Sequence, residues 1–83
     1  MRILVVEDEK DLNNVITKKL ETELYSVDSC FNGKQALEYI EFAEYDAIIL
    51  DIMMPLVDGI QVLKTMRSKN DNTPVLLLTA KDS

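Results

Sequence analysis

Four side chains able to do chemistry sit at the ends of three short apolar runs. Glu7 and Asp8 follow Ile-Leu-Val-Val at 3–6, Asp51 follows Ala-Ile-Ile-Leu at 47–50, and Thr79 follows Val-Leu-Leu-Leu at 75–78. Such runs, too short for ordinary helices, read as strands covered on both faces, the kind found in parallel sheets. In open α/β sheets ligands bind just outside the carboxyl ends of the strands. With strand order 2-1-3-4, the first and third strands are neighbours where the order reverses, and a crevice opens there. Carboxylates converging in it repel unless a cation is present or some pKa values rise. Oxygen ligands, few in number and open to water, suit Mg²⁺, which binds substrate phosphate. One carboxylate can then attack phosphorus while the ion neutralises the phosphoryl oxygens, and Thr79 can donate a hydrogen bond to one of them. Taken singly, each position reads as a turn, a cap or an ordinary strand residue. Three on the right strands, in the right order, point to chemistry.

The intervening segments position these ends. Leu12, Val15, Ile16 and Leu20 recur at spacings of three and four, marking the apolar face of a helix over 10–24 that starts at Asp8 or Glu9. Residues 25–30, with polar side chains interleaved, suit an edge strand. Asn32-Gly33 is a turn signal, and Ala36, Leu37 and Ile40 give a short helix ending near Phe42. After Asp51, Pro55 stops the ladder. Ile60, Leu63 and Met66 or Arg67, with Val62 widening the face, define a third helix, and a loop over 70–74 leads to the last strand. The pattern β-α-β-α-β-α-β is that of an α/β fold, a parallel sheet with helices on its faces. Right-handed crossovers put the first helix on one face and the other two on the opposite face.

Composition narrows the function classes. The 83 residues make one small domain, and 47% hydrophobic residues argue for a packed core. A net charge of -6 with scattered basic residues argues against a nucleic-acid surface. No apolar run reaches the length of a membrane span, so a cytoplasmic chain without membrane partners is expected. The single Cys30 cannot form an internal disulfide, and the absence of histidine removes any phosphohistidine or His-metal chemistry within this chain.

Residues 3–8, residues 46–55 with Asp58-Gly59 after them, and residues 74–80 together resemble the receiver domain of two-component response regulators, over essentially the whole chain. The resemblance implies a flavodoxin-like fold, Asp51 as phosphoacceptor from the phosphohistidine of a histidine kinase, and Mg²⁺ held by Glu7, Asp8, Asp51 and the backbone carbonyl of Met53. It implies Thr79 as the switch residue that contacts the phosphoryl group. The wording of the motifs is most like regulators with a winged-helix DNA-binding output domain. It further implies a fourth helix, fifth strand and fifth helix beyond the fourth strand. Residues 1–83 are therefore expected to be the N-terminal part of one receiver domain, lacking those elements and the family lysine, whose role Lys81 is not assigned. One helix would then cover one face of four strands, leaving a bare apolar face and strand edge, so the chain is expected to self-associate through the fourth strand or else to be only partly folded.

Three other readings fit parts of the sequence. A haloacid dehalogenase-like phosphatase wants a second acid two residues after the first, where this chain has Met53. A flavin-binding flavodoxin-like protein wants backbone N–H groups where Glu7-Asp8-Glu9 would repel phosphate. The third is a receiver fragment that folds or associates without phosphotransfer. The expected role is a signalling module rather than a free-standing enzyme.

Overall fold

The computed structural model describes residues 1–54 and 57–78. The elements alternate as β1 (Arg2–Val6), α1 (Lys10–Thr22), β2 (Ser26–Cys30), α2 (Gly33–Phe42), β3 (Ala47–Asp51), α3 (Gly59–Ser68) and β4 (Val75–Leu78). The strands form one parallel sheet in the order β2-β1-β3-β4, as the sequence led us to expect. The register pairs Val6 with Cys30 and Leu50, and Asp51 with Leu78, which brings the strand ends level along one rim.

Apolar alternation explains the layers. Leu4, Val6, Ile48 and Leu50 are essentially inaccessible and form one cluster with Ala36 of α2 and Val62 and Met66 of α3. By the period of two along a strand, Ile3 and Val5 turn to the opposite face, the side of α1. β2 lies at the edge, where Arg2 and Tyr45 meet its Asp28: Arg2 Nη2 donates at 2.9 Å and the Tyr45 hydroxyl at 2.7 Å. The Arg2 guanidinium also lies over the Tyr45 ring, 5.2 Å from its centroid.

The helices differ from the sequence reading in detail. α1 ends at Thr22 rather than at residue 24, because Leu24 adopts a left-handed φ of 70° that stops the helix. Val15 is 65% exposed instead of facing the sheet, and the seam runs through Asn13, Ile16 and Leu20. From Asn13, two helical steps of about 100° carry Val15 to the far side. In α3 the seam is Gly59, Val62 and Met66, which turns Ile60 outward. Asn32 is the N-cap of α2: its side chain accepts from Gln35 N at 2.8 Å while Gln35 Oε1 accepts from Phe31 N at 2.8 Å, a reciprocal capping arrangement. Asp58 is the N-cap of α3, where its Oδ1 accepts from Gln61 N at 2.9 Å.

On the α1 side, Leu76 of β4 is 62% exposed and Ile49 is half-buried. The uneven cover expected there is present among the described residues. None of the described helices is long and apolar enough to cross a membrane.

Candidate functional site

The site is built where β1 and β3 end. Val6 and Leu50 are paired neighbours, so the next residues, Glu7 and Asp51, stand side by side at the strand ends. Oxygens of Glu7, Asp8 and Asp51 all lie within 4.8 Å of one another. Glu7 and Asp51 are buried and Asp8 is exposed, so the cluster opens to solvent on one side. Burial pushes the Glu7 carboxyl above its usual range; the Glu9 N–H bound to it pulls the other way, and the nearby Asp51 charge adds to the upward push. The rise anticipated among the converging carboxylates falls on Glu7, with burial its main cause and repulsion from Asp51 a smaller one.

Local backbone geometry fixes the two buried acids. Asp51 is the last ladder residue of β3, and its Oδ1 accepts from Met53 N at 3.1 Å, which sets the rotation of the carboxylate. α3 begins directly against it: Gly59 N donates to Ile52 O at 3.1 Å, and a Cβ at Gly59 would run into the Asp51 carbonyl oxygen. Glycine is required there for close approach, not for an unusual φ. Glu7 Oε2 accepts from Glu9 N at 2.9 Å, and Glu7 N donates to Cys30 O at 3.2 Å.

The structure thus brings together Glu7, Asp8 and Asp51, with Met53 tied to Asp51 through its backbone N–H. Thr79, the expected switch residue, lies outside the described residues. Asn13 escaped the sequence reading. Buried to 1% exposure, it donates from Nδ2 to Glu7 O and to Cys30 O, each at 3.0 Å. The signal for it was a polar side chain three residues before Ile16 and seven before Leu20, squarely in the apolar stripe. Cys30 is a buried thiol, pushed up to about 12 by burial, and has no thiolate to offer the site at neutral pH. A groove of about 470 Å³ between Arg2, Tyr39, Phe42 and Tyr45 opens toward the amino ends of the strands and contains none of the three acids.

A family model described as the response regulator receiver domain matches residues 3–83. The chain is 48% identical over 81 residues to the transcriptional regulatory protein DltR of Streptococcus agalactiae, covering 98% of this chain and 36% of DltR. It therefore spans about a third of the length of that relative. Among solved structures, the receiver domain of the Francisella response regulator 1452 superposes with a TM-score of 0.93 at 43% identity, covering 99% of this chain and 68% of that one. The response regulator TrrA of Thermotoga maritima, solved in complex with Mg²⁺-BeF, gives a TM-score of 0.91 at 38% identity, covering 98% of this chain and 70% of that one.

Proposed function

Because the chain belongs to the response regulator receiver domain family, we propose that its acidic rim is a phosphoacceptor site and that Asp51 is the residue phosphorylated. The observation that carries this reading is the convergence of three carboxylate oxygens within 4.8 Å at the ends of adjacent parallel strands. An all-oxygen donor set, partly open to water, fits Mg²⁺. Glu7, Asp8 and Asp51 would hold the ion, with the Met53 carbonyl as a further ligand. The Mg²⁺-BeF complex of TrrA supports this by likeness of fold and sequence. When bound, the ion supplies charge neutralisation for the phosphoryl oxygens.

The chain's own residues do the rest. An Asp51 carboxylate oxygen attacks the phosphorus of a phosphohistidine on a histidine kinase; the P–N bond breaks as the P–O bond forms, and the imidazole leaves. The Met53 N–H holds the Asp51 carboxylate in one rotation, and the ladder pairing of Asp51 with Leu78 keeps it level with the end of β4. Thr79 is the next residue in sequence after Leu78, the position from which its hydroxyl would serve the phosphoryl group. In a full-length regulator of this kind, the description of DltR as a transcriptional regulatory protein favours a DNA-binding output domain, which this module would control in the cytoplasm.

The test is incubation with acetyl phosphate and Mg²⁺ followed by intact mass, with Asp51→Asn in parallel. A phosphate-sized gain that disappears in the variant is expected. No gain in the unsubstituted chain, under conditions where Mg²⁺ binding is measured directly, refutes the phosphoacceptor reading and leaves a metal-binding fold without transfer chemistry.

A further inference from the structure

We infer that Asn13 is a positioning residue for the metal ligands, acting by locking the backbone turn on which Glu7 and Asp8 stand; this rests on the Mg²⁺ reading above. Both Nδ2 protons of a carboxamide are available as donors, and here they go to the carbonyls of Glu7 and Cys30, at 3.0 Å each. The amide is oriented by Thr17, whose hydroxyl donates to Asn13 Oδ1 at 3.3 Å. Cys30 O also accepts from Glu7 N at 3.2 Å. The Glu7 residue is thereby gripped through its N–H, its carbonyl and, by Glu9 N, its carboxylate.

The location makes this more than a core hydrogen bond. Packing alone would be served by an apolar residue, as it is at Ile16 and Leu20 on the same stripe of α1. An amide buried to 1% exposure is tolerated because its donors are satisfied, and the groups satisfying them are the exits of β1 and β2 beside the acids. Glu7 and Asp8 are two of the three carboxylates of the cluster. A shift in the peptide that carries them moves both ligands against Asp51, which is fixed independently by β3 and Gly59. Residues that orient metal ligands from behind commonly change affinity by about 10–100-fold when removed.

The experiment compares Mg²⁺ titration by calorimetry for the unsubstituted chain, Asn13→Ala, Asn13→Ser and Met66→Ala. Met66 is a core residue seven positions along α3 from Gly59, about 10 Å down that helix, and controls for lost stability. Trimethylamine N-oxide in every sample keeps the variants folded. A rise of about 10–100-fold in Kd is expected for Asn13→Ala, a smaller one for Asn13→Ser with its single donor, and less than about twofold for Met66→Ala. Metal-free amide exchange gives a second readout: Glu7 and Glu9 N–H should exchange at least about tenfold faster in Asn13→Ala than in Met66→Ala. Unchanged affinity in Asn13→Ala, or an equal loss in Met66→Ala, overturns the inference. If the unsubstituted chain binds no Mg²⁺, the metal reading itself falls; unaltered Glu7 and Glu9 exchange in Asn13→Ala would then remove the backbone lock as well.

Discussion

Replacing Asp51 by Asn should stabilise the metal-free protein, and that advantage over the parent should shrink or reverse once Mg²⁺ is added. Oxygens of the three acids lie within 4.8 Å of one another. Two unit charges at that separation repel by about 1 kcal/mol in water-like surroundings and about 3 kcal/mol at the effective dielectric of a protein site. Asn keeps the shape of Asp51 and an oxygen for the Met53 N–H, so the substitution removes charge with little else. A gain of about 1–3 kcal/mol is expected in EDTA, or at least about 4 °C in Tm for a domain of this size. Saturating Mg²⁺ adds about 2.7 kcal/mol to the parent at a hundred times its Kd, and much less to the variant.

Thermal melts followed by circular dichroism, with EDTA and then with Mg²⁺, measure both halves. pH supplies a further check. Glu7 has a folded pKa above its ordinary value, chiefly through burial, so the folded state binds its proton more tightly than the unfolded chain does. The penalty is present above that folded pKa and is relieved as pH falls through it. In EDTA, stability of the parent should therefore rise on mild acidification, and the rise should shrink in Asp51→Asn, where one source of the shift is gone. Equal or lower stability of Asp51→Asn in EDTA would refute the crowded-carboxylate account.

Leu24 is 91% exposed at φ 70°, a conformation that suits glycine, so Leu24→Gly should raise stability by about 0.5–1 kcal/mol in urea melts; a loss would show an unseen role for the side chain. Tyr45→Phe removes a charge-assisted bond to Asp28 and should cost about 1.5–3 kcal/mol. The Tyr45 hydroxyl is the chief cause that holds the Asp28 carboxyl below its usual range, with Arg2 assisting. Its stabilisation is therefore complete above about pH 4 and lost as pH falls through the folded value, and acid unfolding of Tyr45→Phe should show a weaker dependence there. With Leu76 62% exposed on β4, the 83-residue chain should elute as a dimer or larger in size-exclusion chromatography with light scattering; a compact monomer that stays soluble at high concentration would refute association through that edge.

The strands were legible because continuous apolar runs have few other uses in a short α/β chain. Residues 75–78 were placed without error, and the extra ladder residue at Asp51 follows from its pairing with Leu78. The acids could be found because each follows such a run. The helix faces were less legible. Val15 and Ile60 satisfy the spacing of three and four, yet a helix seam is set by what the sheet can accept. Asn13 displaced an apolar neighbour from the seam because two carbonyls awaited donors there, a demand invisible until β1 and β2 are side by side. Asn32 illustrates a second cause: a residue that favours turns is also a favoured helix cap, and Gln35 three positions on was the discriminating sign.

The strand order also sets the schedule on which the molecule can form during synthesis. β1 precedes the other described elements and is the most deeply buried of the strands, yet both its neighbours are encoded later: β2 at Ser26–Cys30 and β3 at Ala47–Asp51. At about 5–20 residues per second, roughly 2–9 s separate translation of Val6 from translation of Asp51. Throughout that interval Ile3, Leu4, Val5 and Val6 have no completed sheet to enter. Any pause in translation between Val6 and Ala47 would prolong the time that this apolar segment spends without its central partner strand.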